Sequence, residues 1–201
     1  MSNVSVMPKR NQVPQLQTEE HLTLRRCARF AARLVATVLA ATLVFTVAVL
    51  TLGLVFKGSW LWLAPGAAFI GARPADVVGV VPFEALPWPT RWAYGANFTL
   101  TQMPVAAVLF DLHALLRQLA VGTVFAAGQV LRLRRMAICL LAYAVAPIGG
   151  QALIRLAGGG VDLAWFRTSS MHALLLAVLL IVLAELIRAG QAIQDDRDGF
   201  V

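Results

Sequence analysis

Residues 34–56 read LVATVLAATLVFTVAVLTLGLVF, twenty-three positions without a charged side chain, with Arg29 and Arg33 before them and Lys57 after. At about 1.5 Å per residue, a helix of that length crosses a hydrocarbon core of about 30 Å, so the segment reads as a membrane span. A secretory signal peptide is the competing reading, but its apolar region is only about 7–15 residues long. Upstream, Thr18 followed by Glu19 and Glu20 has the form of an N-cap with acidic residues in the first turn. A helix is therefore expected to start there and run unbroken into the span, after a flexible cytoplasmic lead over residues 1–17.

Three further spans follow. The second covers about 98–116 and is interrupted by Pro104; the third, about 136–157, contains Pro147, Gly149 and Gly150; the fourth, about 169–187, is almost wholly aliphatic. Across all 201 residues, 59% are apolar and only 13% charged, too little charge to coat a water-soluble surface and too much apolar character for a disordered chain. Four spans with their loops nearly exhaust the length, which leaves no separate catalytic domain. The fold class expected is all-α: one integral membrane four-helix bundle over residues 18–201, with a long outer loop between helices 1 and 2. Cys27 and Cys139 have neither the number nor the spacing of a disulfide framework or a metal site.

The net charge of +7 is distributed unevenly. Twelve of the seventeen cations flank the span ends on the side of the N-terminus, among them Arg25, Arg26, Arg29, Arg117, Arg132, Arg134, Arg135 and Arg188, and five lie opposite. The positive-inside rule then places both termini in the cytoplasm of a multi-pass membrane protein. All five tryptophans (Trp60, Trp62, Trp88, Trp92, Trp165) fall on the other side, near span ends, where amphipathic rings favour the headgroup level. The outer loop, Lys57 to about Asn97, is too apolar to be free in water. It is expected to lie on the membrane or cap the bundle, with a ligand-binding lid as the sharper alternative.

Ionisable groups inside spans are functional suspects, because a charge in lipid costs about 2.5–3.5 kcal/mol on insertion scales. Asp111, His113 and Glu185 are the three. Asp111 lies six residues, about 9 Å, from Arg117, close enough to the interface to pair with a neighbouring arginine. His113 sits where a neutral ring would bond another helix, and Glu185 has Arg188 on its own helix face three residues on. A structural role and a proton or ion relay both fit. Arg132, Arg134 and Arg135, with Arg25, Arg26 and Arg29, form a basic collar that orients the chain and contacts an anionic inner leaflet, or docks a protein; the acidic tail, Asp195, Asp196 and Asp198, is its natural counter-charge. Small residues recur every fourth position on helix 1 (Ala32, Ala36, Ala40) and helix 3 (Ala142, Ala146, Gly150), faces that suit close packing of those two helices or a homo-oligomer contact. An echo at an offset of 62 residues links Phe125-Ala-Ala-Gly128-Gln-Val-Leu131 to Ile187-Arg-Ala-Gly190-Gln-Ala-Ile193, as a parallel repeat would.

Two stretches resemble a known family of small prokaryotic membrane proteins, domain-of-unknown-function family 2975. One is Gly122-x-x-Phe125 followed by the basic run Leu131-Arg132-Leu133-Arg134-Arg135 ahead of a span. The other is the ending, Leu183 to Ile193 with Gly190 at its turn, before the acids and a terminal Val201. The resemblance covers about residues 100–201. The family's ending, Asp-Leu-Thr-Val, is here Asp198-Gly199-Phe200-Val201, a departure at two positions. The resemblance implies four spans, cytoplasmic termini and genes often placed beside a small helix-turn-helix regulator; it implies no catalytic residue.

No nucleophile with a base, metal-ligand set or facing carboxylate pair occurs, so neither enzyme activity nor a cofactor is expected. The leading expectation is a non-enzymatic regulatory or interaction protein that partners a cytoplasmic DNA-binding regulator, with no direct contact to nucleic acid. The alternative is a small oligomeric transporter or channel that uses Asp111 and His113.

Overall fold

The computed structural model describes residues 13–56, 58–64, 67–121, 128–160 and 168–198, with side chains between residues 25 and 190 of those ranges. Four long helices dominate: α1 (Val13–Leu54), α2 (Trp88–Val121), α3 (Gly128–Leu156) and α4 (Thr168–Asp198). Each is long and apolar enough to cross a membrane. The large aliphatic and aromatic side chains that point outward, such as Phe110 at 58% exposure, Leu175 at 67% and Leu186 at 64%, form a surface that water would not tolerate. This is a multi-pass helical membrane protein. Threonines within the spans return their hydroxyls to the helix, Thr37 to the Arg33 carbonyl at 2.7 Å, Thr42 to Val38 at 2.8 Å and Thr46 to Thr42 at 2.7 Å, which removes the cost of a free donor in lipid.

The helices outrun the expected spans. α1 starts at Val13, five residues before Thr18, and passes unbroken into the span; residues 1–12 lie outside those described. α2 starts ten residues before Phe98, because Pro89 sits in a first helical turn, where no intrahelical N–H bond is needed, and the polar Thr90–Asn97 stretch is helical despite its composition. Pro104 and Pro147 lie inside α2 and α3, which continue through them. α4 continues past Ile187 to Asp198.

The all-α architecture expected from the sequence is observed, and the long outer loop between α1 and α2 adds one small element to it. The outer loop folds into a three-stranded antiparallel sheet, β1 (Leu61–Ala64), β2 (Ala67–Ile70) and β3 (Val81–Pro82), in the order β2-β1-β3. β1 pairs with β2 from Leu61↔Ile70 to Ala64↔Ala67, and with β3 at Leu63↔Val81. The β-favouring run LWLA opposite AAFI has no helical period, and strand pairing satisfies its backbone where a coil would not. Gly71, at φ 107°, makes the turn that returns its N–H to the Trp60 carbonyl at 2.7 Å, and Trp62 Nε1 donates to the Gly71 carbonyl at 3.0 Å. A 3-10 turn at Phe83–Ala85 pins the sheet to the helices. Phe83 is buried, edge-on to Tyr94 with ring centroids 6.3 Å apart, and lies over Gly53, while Arg91 donates to the Leu86 carbonyl at 2.9 Å and also reaches the Glu84 carbonyl.

The helices pack in chain order: α1 on α2, α2 on α3, α3 on α4. Among the described residues no comparable interface joins α1 to α4 or α1 to α3, so the bundle is an open row rather than a closed four-helix ring. Close approach of helices 1 and 3 through their small residues is therefore not observed. Ala32 is buried, but Ala40 and Ala142 are exposed, and Gly150 faces α2 rather than α1. The tight small-residue stripe lies on α4, where Ser170, Ala173, Ala177 and Ala184 are all at most 4% exposed at the only extensive helix interface that α4 has among the described residues, the one with α3. The echoed segments occupy different settings: Gly128 opens α3, whereas Gly190 lies within α4.

Candidate functional site

Two regions have chemistry to offer, one at the end of the row that carries the N-terminal arginines and one at the sheet end. At the basic end, polar ties join each neighbouring helix pair. His113 on α2 places Nδ1 2.9 Å from the Ala32 carbonyl on α1. Asp111 on α2 pairs with Arg135 on α3 through two contacts, Oδ2 accepting from Nε at 2.5 Å and Oδ1 from Nη2. Glu185 on α4 accepts from Arg134 on α3 and forms an ion pair with Arg188 of its own helix at 3.1 Å.

These ties have different surroundings. Asp111 is 1% exposed while its arginine is 58% exposed, so the acid is sealed between helices and the guanidinium reaches outward beside it. A bidentate fork on a buried carboxylate holds both its oxygens and fixes the facing of α2 against α3. The Arg134–Glu185–Arg188 cluster is open, each member being more than 40% exposed, and Coulomb attraction there is correspondingly weaker. Adjacent Arg134 and Arg135 thus point to opposite neighbours, α4 and α2. In a membrane, where helices are not driven together by water, such interhelical bonds and small-residue packing are what hold a row in register.

The expected site residues distribute as follows. Asp111, His113 and Glu185 are brought to the same end of the row, each on a different partner, rather than into one constellation. Arg134 and Arg135 belong to interhelical pairs, and Arg132 is half-buried on α3. Gly190 is exposed in α4, and Asp195, Asp196 and Asp198 lie in the last turns of that helix. Gly122 and Phe125 fall outside the described residues. His113 and His172 lie toward opposite ends of the helices, and among the described residues no three His, Cys, Asp or Glu side chains gather as metal ligands.

At the sheet end lies a cavity of about 790 Å³, walled by all four helices and roofed by the sheet. Its roof and upper wall are apolar, with Leu61, Leu63, Ile70, Phe83, Phe45 and Phe98. Neutral polar residues line it as well: Asn97, Thr101 and Gln102 from α2, Tyr143 and Gln151 from α3, Ser170 from α4. Asn97 is seated over Gly150, where a Cβ would run into its carboxamide, and its Oδ1 is buried with no hydrogen-bond partner. Below the roof, Thr90 Oγ1 donates to the Ala157 carbonyl at 2.7 Å and ties α2 to the end of α3. Sequence reading anticipated none of these wall residues. The signal was present in Asn97 and Thr101, which at a spacing of four share one helix face.

The family described as "Protein of unknown function (DUF2975)" matches residues 75–199, which takes in α2, α3, α4 and the last strand of the sheet. No curated protein and no solved structure matches the chain.

Proposed function

This chain belongs to the DUF2975 family, and on that premise we propose that it is a non-enzymatic regulatory membrane protein that docks a cytoplasmic helix-turn-helix regulator at its basic end. In this reading it sits in a prokaryotic inner membrane with both termini in the cytoplasm. The observation that supports it is the continuation of two helices past their charge-free runs. α4 stays helical from Arg188 through a polar stretch to Asp198, and α1 is already helical at Val13, well before the charge-free run that begins at Leu34. The last turns of α4 carry Asp195, Asp196 and Asp198, while α1 and α2 carry the exposed Arg25, Arg26, Arg33 and Arg117. Internal pairing of Arg134 and Arg135 narrows the docking surface to those remaining cations, which also meet the anionic inner leaflet.

Crosslinking in native membranes followed by affinity purification of the full chain tests the proposal. A helix-turn-helix protein should co-purify, and deletion of residues 191–201 should abolish its recovery and alter a transcriptional reporter of that regulator. Unchanged recovery and an unchanged reporter would refute the reading.

One observation favours the second reading, a small oligomeric transporter or channel: a carboxylate, Asp111, buried at membrane depth. Its two oxygens are engaged by Arg135, and His113 is engaged by a backbone carbonyl, so a relay would first have to break interhelical ties. If Asp111 carries ions, Asp111→Asn should abolish flux in reconstituted vesicles; equal flux from wild type and variant rejects that role.

A further inference from the structure

The open row leaves a trough along one of its faces. α1 and α3 each pack on α2, and the strip of α2 between them floors a groove of about 1040 Å³. Its lining is apolar. In the half nearer the basic end the walls are Leu39 and Leu43 from α1, Ala107 and Phe110 from α2, and Ile138 and Cys139 from α3. Thr99 has the one hydroxyl among the described lining residues, and it donates to the Gly95 carbonyl of its own helix at 2.9 Å. The groove therefore suits a hydrocarbon chain and has little to hold a polar group within it.

The basic end of the groove differs in kind, because the stripe of each wall leads out to arginine. On α3, Arg135 lies four and seven residues before Cys139 and Ala142; on α2, Arg117 lies seven after Phe110. On α1, Arg25 and Arg29 lie fourteen before Leu39 and Leu43. Such spacings keep each set on one helix face. The levels agree as well. α1 and α2 run antiparallel, Gly95 lying against Leu50 and Leu54 at the sheet end, and the 2.9 Å contact of His113 Nδ1 with the Ala32 carbonyl fixes their register at the other. From that contact Arg117 and Arg29 step about 6 Å and about 4.5 Å toward the same end. All four arginines are exposed. Among the described residues Arg25, Arg29 and Arg117 have no acidic partner, and Arg135 holds Asp111 through Nε and Nη2, which leaves its Nη1.

An apolar groove that opens among cations without counter-charge fits an amphiphile with an anionic head, and guanidinium forks match phosphate oxygens. We propose that the groove over α2 binds an anionic phospholipid from the leaflet at the basic end. Arg29, Arg117 and Nη1 of Arg135 hold its phosphate, and an acyl chain lies along Leu39, Ala107 and Ile138. The length fits: Arg117 to Met103 is about 21 Å of helix, enough for a headgroup and the roughly 15 Å of one hydrocarbon leaflet. A lipid seated there touches α1, α2 and α3 at once, so it is a bound component at a defined place, distinct from the general attraction of a basic collar to the membrane surface. This inference does not rest on the docking of a cytoplasmic regulator, and no arm of its test involves residues 191–201.

The test uses the full chain in phosphatidylcholine nanodiscs and two probes with the same diazirine-bearing acyl chains, a phosphatidylglycerol and a phosphatidylcholine. Labelling is read by mass spectrometry as the ratio of adducts on residues 103–110 and 138–142 to adducts on the exposed Leu175, Leu176, Val178 and Leu179 of α4. One cation beside an anionic lipid is worth about a fivefold factor, so the phosphatidylglycerol ratio should exceed the phosphatidylcholine ratio by at least about fivefold. Arg29→Ala and Arg117→Ala should each lower it about fivefold. Arg26→Ala combined with Arg33→Ala removes more charge from another side of α1 and should leave it unchanged. Ala107→Phe, which fills the groove with every arginine intact, should lower it as well. Equal ratios for the two probes would mean ordinary boundary lipid and overturn the proposal. An equal fall in the Arg26, Arg33 double variant would mean diffuse surface charge, and a ratio indifferent to Ala107→Phe would put the lipid elsewhere; either result overturns it. So would a groove labelled by neither probe, which is what a covering protein helix would give, or displacement of the lipid by soluble glycerol 1-phosphate. Should one arginine variant fail to fold, the other and Ala107→Phe decide the outcome.

Discussion

Gly150 is the position at which the packing of α2 on α3 can be tested most sharply. It is buried in α3, and a Cβ added there would stand 3.0 Å from Asn97 Cβ and would overlap the Asn97 carboxamide. Gly150→Ala therefore forces Asn97 to change rotamer or the two helices to separate. Overpacking of this kind costs about 1–3 kcal/mol, which corresponds to about a 5- to 160-fold fall in the folding equilibrium constant. Alanine favours a helix over glycine by about 0.8–1 kcal/mol, so the net loss should be about 2 kcal/mol or less. The assay is a double-mutant cycle on the purified chain, unfolded by SDS in mixed micelles and followed by circular dichroism. On an Asn97→Gly background, with neither Cβ nor carboxamide at position 97, Gly150→Ala should become neutral or stabilising, because only the helix-propensity gain is left. The coupling between the two sites is the quantity that matters. If Gly150→Ala has the same effect on both backgrounds, the close seat of Asn97 on Gly150 is wrong.

Three further outcomes are expected. On a Cys139→Ala background, a membrane-impermeant maleimide should modify exposed Cys27 only in inside-out vesicles, and a cysteine introduced by Trp60→Cys only in intact cells; the opposite pattern would invert the topology. Thr90→Val removes the 2.7 Å bond to the Ala157 carbonyl at a buried site and should cost about 1 kcal/mol in SDS unfolding, whereas Thr90→Ser should be close to neutral; equal effects would show the hydroxyl to be idle. Arg135→Ala leaves the Asp111 carboxylate alone between helices and should lower the SDS midpoint clearly more than Arg132→Ala, whose arginine has no described acidic partner; equal midpoints would remove Asp111–Arg135 as a structural tie.

What could be read in the sequence follows from how strongly each signal depends on one element alone. A span is decided by its own length and charge, so the four apolar runs were legible, α1 and α4 most clearly because neither contains a proline in its apolar window. The ends of the helices were less so. Thr90, Tyr94 and Asn97 look like loop residues by composition, yet they are helical because their polar groups meet partners or a cavity, which no local propensity reveals. The sheet was hidden for a related reason. LWLA and AAFI are short apolar runs that a helix or a strand could use equally, and only their pairing with each other and with Val81–Pro82 decides for strands.

The polar residues show the same limit at the level of the site. Asp111, His113 and Glu185 could be singled out because a charge or imidazole inside an apolar run is conspicuous in one dimension. Their partners could be foreseen only as types: an arginine for Asp111, another helix for His113, Arg188 for Glu185. That Arg134 and Arg135, neighbours in sequence, would turn to opposite helices depends on the roughly 100° between successive helical positions combined with the chain-ordered row, and the row itself is a tertiary fact. A closed ring would have brought α4 against α1 and placed Glu185 within reach of the N-terminal arginines. In the open row, Glu185 instead draws on α3 and on its own helix, and the exposed Arg25, Arg26 and Arg33 are left on the outer helix, facing the lipid headgroups or a partner. The excess positive charge of the chain is thus divided by the fold into two arginines that hold helices together and a remainder that is available for contact, and it is that remainder which a docking protein would have to read.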